Sequence, residues 1–340
     1  MFVRTCGFCF TTYKLQPTTY LCYTICMLKV SSSLPDIAVI RGGNRDFKQS
    51  LVDGGDVLKS LTAIGYKPLD VLVDQEGVWT LHGKPTDAHE VYTCAHTIVD
   101  TTQMKGQKYQ ELAHKMGIPL LFSQDDRVCM NREDMYRILN QQGIKVPKTD
   151  VIRTRVPVKP EHLHSLWSKY NLPIMLRPLE RTKDVQSKLI KSFSELEDTV
   201  REYQDKGIDS HILTFKKTPV SSVSILPNFR GEKLYTPIWV ETFSSLKEIP
   251  NRESTLHAYT KAPDFRKEQI KKFVTEVYDA LGLNGPACID IVPHNDTFAV
   301  VNVEASPSLR KDGRFMQSLA TTGVDIGQYI HSHIQNELAR

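Results

Sequence analysis

Two apolar runs near the carboxyl end, Ala287-Cys288-Ile289-Asp290-Ile291-Val292 and Phe298-Ala299-Val300-Val301-Asn302-Val303-Glu304, are joined by Pro293-His294-Asn295-Asp296-Thr297. So short a link between β-prone runs leaves little besides an antiparallel hairpin. Runs this apolar belong inside a layered fold, yet each carries a carboxylate, Asp290 and Glu304, where core is expected. A turn of odd length centred on Asp296 pairs Asp290 with Asn302 and brings Glu304 onto the same face, roughly 7 Å away diagonally. Two acids so placed can share a divalent cation. A register change of one residue puts them on opposite faces, and then one acid is simply exposed at a strand end.

A chain of 340 residues suggests two or three structural units. A hydrophobic content of 40% supports a sizeable core. The net charge of +4 is spread thinly, and Lys267, Lys271 and Lys272 read as a solvated helix face, so no nucleic-acid partner is expected. Cys6, Cys9, Cys22 and Cys26 crowd the start, whereas Cys94, Cys129 and Cys288 lie far apart, so the body has no disulfide framework. The leading four cysteines have a spacing that four-thiolate zinc binding also uses. The segment 1–34 is nevertheless rich in Phe, Tyr and Thr and is expected to be a poorly ordered extension, with Met27 a conceivable native start. Lys14, Gln16 and Pro17 interrupt any export signal, and no run is long enough to span a membrane, so a cytoplasmic protein is expected.

Strand Ile37 to Arg41, Gly42-Gly43 and a helix from Ser50 to Ile64 make a doubly wound opening. Strands at Leu69 to Val73 and Thr97 to Val99, a small hairpin turning at His82-Gly83, and a helix from Tyr109 to Met116 complete the first unit. Beyond it, the spacing predicts helices at Asn131 to Gln142, Glu161 to Tyr170, Ser194 to Lys206, Lys267 to Leu281 and Asp325 to Leu338. Strands are predicted at Leu172 to Leu176, Ile212 to Phe215, Ser221 to Leu226 and Leu234 to Val240.

Five stretches, in this order, give the chain a resemblance over Asp36 to Glu337. They are Ile37 to Gly43 with Ser50-Leu51 behind; Asp74-Gln75-Glu76-Gly77-Val78-Trp79 with His82-Gly83; Met130-Asn131-Arg132 before Gly143 to Pro147; Arg177-Pro178; and Asp290 with Glu304. Together they resemble the D-alanine:D-alanine ligase branch of the ATP-grasp superfamily. The resemblance implies an α/β chain: a preATP-grasp, Rossmann-like domain at 35–124, then a two-lobed α+β ATP-grasp fold at 125–340, with lobes dividing near 215. It further implies ATP, Mg2+ or Mn2+, D-alanine as the small-molecule substrate, a dipeptide made through an acyl phosphate for peptidoglycan, and homodimers. On this resemblance Asp290 and Glu304 hold the metal, with Ser306 at an asparagine ligand's position. Arg132 and Arg177 replace lysines that reach the phosphates, retaining charge in a planar fork. Asp46 matches a substrate-placing glutamate and Ser50 follows it; Thr182 falls in the phosphate-covering loop, and Lys247 supplies a closing-loop lysine.

Several positions depart from that pattern. Cys288 replaces an arginine that steadies the tetrahedral intermediate. No acid stands between His211 and Val220, where nucleotide-contacting glutamates are expected. Leu179 to Val185 lacks the Gly-Ser loop, the His-Gly loop after Val99 is missing, and Lys311-Asp312-Gly313-Arg314 replaces a substrate-binding serine. Three readings follow: a drifted D-alanine ligase, a degenerate fold binding nucleotide or a partner without catalysis, or a ligase for another amino acid.

Overall fold

In the computed structural model the described residues are 34–44, 47–102, 108–122, 129, 131–155, 157–179, 187–215, 219–242, 256–258 and 264–338. The zinc-like cysteine quartet lies outside them, as do Asp46, Thr182 and Lys247. Residues Asp36–Arg340 form one compact unit.

The first sheet is built from β1 (Ile37–Gly42), β2 (Leu69–Val73), β3 (Trp79–Leu81), β4 (Lys84–Thr86), β5 (Thr97–Asp100) and β6 (Leu120–Leu121), in the order β4-β3-β2-β1-β5-β6. Its β2-β1-β5-β6 portion is parallel, as strands separated by helices require. Ala38, Ile40, Val71 and Ile98 face Val91 and Tyr92 of α2 (Ala88–Cys94) and Ala113 of α3 (Lys108–Lys115). On the opposite side, Ile37 and Val39 pack on Val57 and Leu61 of α1 (Phe47–Ala63) and on the far carboxyl-terminal helix. Gly42 ends β1 with φ +95°, and a Cβ there would lie 2.1 Å from the carbonyl oxygen of Val73. The neighbouring strand therefore suffices to require glycine at this turn.

The central sheet, β7-β10-β8-β9, is antiparallel and comprises β7 (Thr149–Ile152), β8 (Ile174–Pro178), β9 (Lys188–Ile190) and β10 (Ser210–Thr214). Leu163 and Leu166 of α5 (Pro160–Lys169) and Leu196, Val200 and Tyr203 of α6 (Phe193–Asp205) cover one face. The helix expected from Ser194 starts earlier, because Ser192 accepts from the Glu195 amide while Glu195 accepts from the Lys191 amide. The preceding α4 (Arg132–Gln141) is capped by Asn131, which accepts from the amides of Glu133 and Asp134.

The last sheet contains β11 (Val220–Phe229), β12 (Glu232–Tyr235), β13 (Val240–Thr242), β14 (Leu256–Ala258), β15 (Ala287–His294) and β16 (Thr297–Glu304). Its order is β14-β13-β11-β15-β16, with β12 paired to β11. The single strand predicted over Leu234 to Val240 is thus two, separated by Thr236-Pro237-Ile238-Trp239. α7 (Asp264–Ala280) and α4 share one core with this sheet. The other face meets α8 (Arg314–Ala320) and α9 (Ile326–Leu338), whose Phe315, Tyr329 and Ile330 join the core of β1 and α1. Among the described residues, no helix is long and apolar enough to cross a membrane.

Candidate functional site

The hairpin β15–β16 reaches the expected pairing by an unexpected route. His294 pairs with Thr297 around a two-residue turn, with Asn295 at φ +51°, rather than around an odd turn centred on Asp296. That register alone would put Glu304 on the face opposite Asp290. A bulge then inserts Val301: Ile291 pairs with Val300, but Asp290 pairs with Asn302 and Cys288 with Glu304. Val300 and Val303 therefore both face the apolar core, while Cys288, Asp290, Asn302 and Glu304 share the other side.

The carbonyl at the bulge is where the central sheet meets the hairpin. Val301 O accepts from Tyr136 Oη at 2.9 Å and from Arg177 Nη1 at 3.0 Å. Arg177 Nη2 also donates to Asn302 Oδ1 at 3.4 Å, and Asn302 Nδ2 donates to Asp290 Oδ2 at 3.1 Å. Asp290 Oδ1 accepts from Ser222 Oγ at 2.6 Å, the residue paired with it on β11. A relay thus runs from the buried Ser222, Asp290 and Asn302 to the partly buried Arg177.

Arg132 begins α4, where Nη1 donates to the carbonyls of Pro178 and Leu179 at 2.7 and 3.3 Å, beside the strand that carries Arg177. His211 pairs with Arg177 across β10 and β8 and stacks on Tyr136 with ring centroids 5.5 Å apart. Burial, and then the charges of Arg132, Arg177 and Arg153, lower the His211 pKa to about 4, which keeps the imidazole neutral. Among the described residues its Nδ1 has no hydrogen-bond partner.

Sequence reasoning assigned no role to Arg314. From the first turn of α8 its guanidinium donates Nη1 to Asp290 Oδ2 at 2.6 Å and Nη2 to Glu304 Oε1 at 3.0 Å. The two acids, which lie nearly buried and partly buried, raise the Arg314 pKa further above its already high value. The only sequence signal was the basic stretch Lys311 to Arg314 ten residues or fewer beyond Glu304; α8 itself was not predicted.

The oxygen donors Asp290, Asn302 and Glu304 have the right chemistry for magnesium, but their arrangement does not fit it. Both Asp290 oxygens accept hydrogen bonds, and Arg314 forks across the gap between the two acids. A cation between the acids would meet the like charge of the Arg314 guanidinium, which already occupies that gap. Ser306 lies in the loop just after β16, half-buried. Cys288 is buried, and burial together with the charges of Asp290 and Glu304 pushes its thiol well up, so it is a neutral group.

In the first sheet's helix, Ser50 Oγ accepts from the Gly42 amide at 2.8 Å and lies 3.2 Å from Thr101 Oγ1, closing the strand-to-helix junction. One turn on, Asp53 was not singled out from the sequence. It is buried beside Gln49 and Ser308, and burial raises its pKa to about 6 against the pull of Arg310. Asp53 thus connects α1 to the loop that follows Glu304.

Three sheets with these connections match solved ligase structures. The D-alanine–D-alanine ligase from Coxiella burnetii has a TM-score of 0.72 at 15% identity, over 91% of this chain and 98% of that one. That from Bacillus anthracis scores 0.70 at 16%, over 90% and 98%, and the VanG D-Ala:D-Ser ligase from Enterococcus faecalis scores 0.69 at 14%, over 88% and 98%. The architecture is therefore the ATP-grasp ligase fold expected from the sequence. Residues 138–335 match the family described as D-ala D-ala ligase C-terminus, more than half the chain. The chain belongs to that family, as a divergent member.

Proposed function

We propose that this chain is an ATP-dependent carboxylate–amine ligase that holds the nucleotide's phosphates between its central and carboxyl-terminal sheets. The observation that carries this reading is Arg177, which crosses from β8 to the bulge of β16 beside Arg132 and the neutral His211. Family membership adds to it, as does a structure of the Bacillus anthracis ligase complexed with ATP, similar over 91% of this chain with a TM-score of 0.68 at 16% identity.

Phosphoryl transfer to a carboxylate requires positive charge on the migrating group and alignment of the attacking oxygen, with little covalent work for the protein. Arg177 and Arg132 supply fixed cations whose charge does not depend on pH in the working range. The substrate carboxylate takes the terminal phosphoryl group with ADP as the leaving group, and the amine of a second amino acid then attacks the acyl carbon, expelling inorganic phosphate, losing a proton and giving an amide. The family's namesake makes D-alanine the first substrate to test and peptidoglycan precursor synthesis the setting.

A second reading, nucleotide binding without ligation, is favoured by two observations. Cys288 is a buried neutral thiol where the resemblance implies an arginine, and Asp290 and Glu304 are already paired with Arg314. Phosphate release from ATP, measured with and without D-alanine alongside calorimetric ATP binding, separates the two. D-alanine-dependent release supports the ligase, and release with only another amino acid reassigns its substrate. Binding without release supports the second reading, and no ATP binding sinks both.

A further inference from the structure

We infer that the Arg314 guanidinium stands in for a bridging divalent cation between Asp290 and Glu304, so that nucleotide phosphates are taken with no metal ion on these acids. The nucleotide half of this statement rests on the function proposed above, whereas the metal half rests on the geometry of the acids alone.

Four observations carry it. The fork of Arg314 meets one oxygen of each acid at 2.6 and 3.0 Å, as a shared ion would. Ser222 and Asn302 donate to Asp290 as well, so both of its oxygens point at protein donors. The backbone beneath Arg314 is fixed: Phe315 and Leu319 of α8 are buried in the core, and the Gly313 amide donates to Arg310 O at 2.9 Å. Finally, Asp290 and Glu304 are matched in charge by Arg314 and by Arg177, which reaches Asp290 through Asn302. Counting these four side chains among the described residues, two carboxylates and two guanidiniums leave no net negative charge with which to recruit a dication.

The test uses the full chain and two probes. Mn2+ binding is followed by electron paramagnetic resonance, and ATP binding by calorimetry with either magnesium or EDTA present. The wild type is expected to bind no Mn2+ below about 1 mM, and its ATP affinity to change less than about threefold on chelation. Arg314→Met, which removes the fork but keeps apolar bulk, is expected to tighten Mn2+ binding at least about tenfold. Arg314→Lys, whose single ammonium cannot fork across both acids, should give a smaller gain in the same direction, and serves if the Met variant does not fold.

Stoichiometric Mn2+ binding by the wild type, unchanged or weakened in the Arg314 variants, would overturn the inference. So would an ATP affinity that falls about tenfold or more with EDTA. If ATP fails to bind under either condition, the ligase reading is lost, while the Mn2+ measurements still decide whether Arg314 occupies the acid pair.

Discussion

Asp290 and Arg314 are expected to be strongly coupled, and a double-mutant cycle of Asp290→Asn with Arg314→Met measures that coupling. Asparagine can still accept from Ser222, but its amide nitrogen would face both Asn302 Nδ2 and Arg314 Nη1, so donors would confront donors. The Asp290 side chain is 4% exposed and that of Arg314 32%, so the pair lies between two regimes. Removing one partner of a fully buried pair costs about 3–5 kcal/mol, and an exposed pair is worth about 0–1 kcal/mol. Asp290→Asn alone should therefore cost about 2–3 kcal/mol, and the cycle should give a coupling of about 2 kcal/mol. Trp79, Trp167 and Trp239 lie in or beside the first, central and last sheets respectively. With the first two replaced by Phe, Trp239 fluorescence reports urea unfolding of the sheet that carries the site, free of the other transitions. A coupling below about 0.5 kcal/mol would show that the fork is a surface contact and remove the basis for treating Arg314 as a fixed cation.

His211 should make stability depend on acid pH. Its folded pKa of about 4 lies below the ordinary value of 6.5, so the neutral ring is favoured by folding. The contribution is complete above about pH 6.5 and is lost as pH falls toward about 4, amounting to as much as about 3 kcal/mol. His211→Phe, which keeps a ring against Tyr136, should flatten the urea midpoint between pH 7.5 and 5; an unchanged slope would count against a neutral buried imidazole. Gly42→Ala should cost about 3 kcal/mol or more, because it combines φ +95° with a contact of 2.1 Å to a backbone oxygen. Gly55→Ala, in α1 with nothing within 4 Å, should instead raise Tm, gaining about 0.5–1 kcal/mol. Equal effects of the two glycine changes would refute that steric account. Cys288→Arg should lower stability without raising phosphate release, since a second guanidinium would enter a buried face that already holds Arg314. Increased release from this variant would mean that the site can admit both cations.

Most of the scaffold was legible because its signals are local. The βαβ opening and the helix patterns over 131–142 and 267–281 each follow from a few neighbouring residues. The misses are elements whose stability comes from elsewhere in the chain. β7 and β9 are short strands that pair with β10 and β8, and α2 is a seven-residue helix covering the first sheet. α8 likewise offers only one turn's worth of apolar residues, Phe315 and Leu319 with Met316 partly buried, to a core assembled from β1, α1 and α9. Periodicity over so few positions cannot outweigh turn-like composition such as Lys311-Asp312-Gly313.

The site was legible in part for the same reason. The acids and their pairing with Asn302 could be stated from spacing, but the compensating bulge could not, because a bulge is chosen by packing on both faces at once. Val300 and Val303 must both reach the core, and the extra residue leaves Val301 with a carbonyl for Tyr136 and Arg177. Position-by-position comparison also sees Cys288 only as a lost arginine. In space, a guanidinium is present beside that thiol, supplied from α8 twenty-six residues later and aimed at the acids rather than from the strand itself. In this chain the positive charge facing Asp290 and Glu304 is carried by α8.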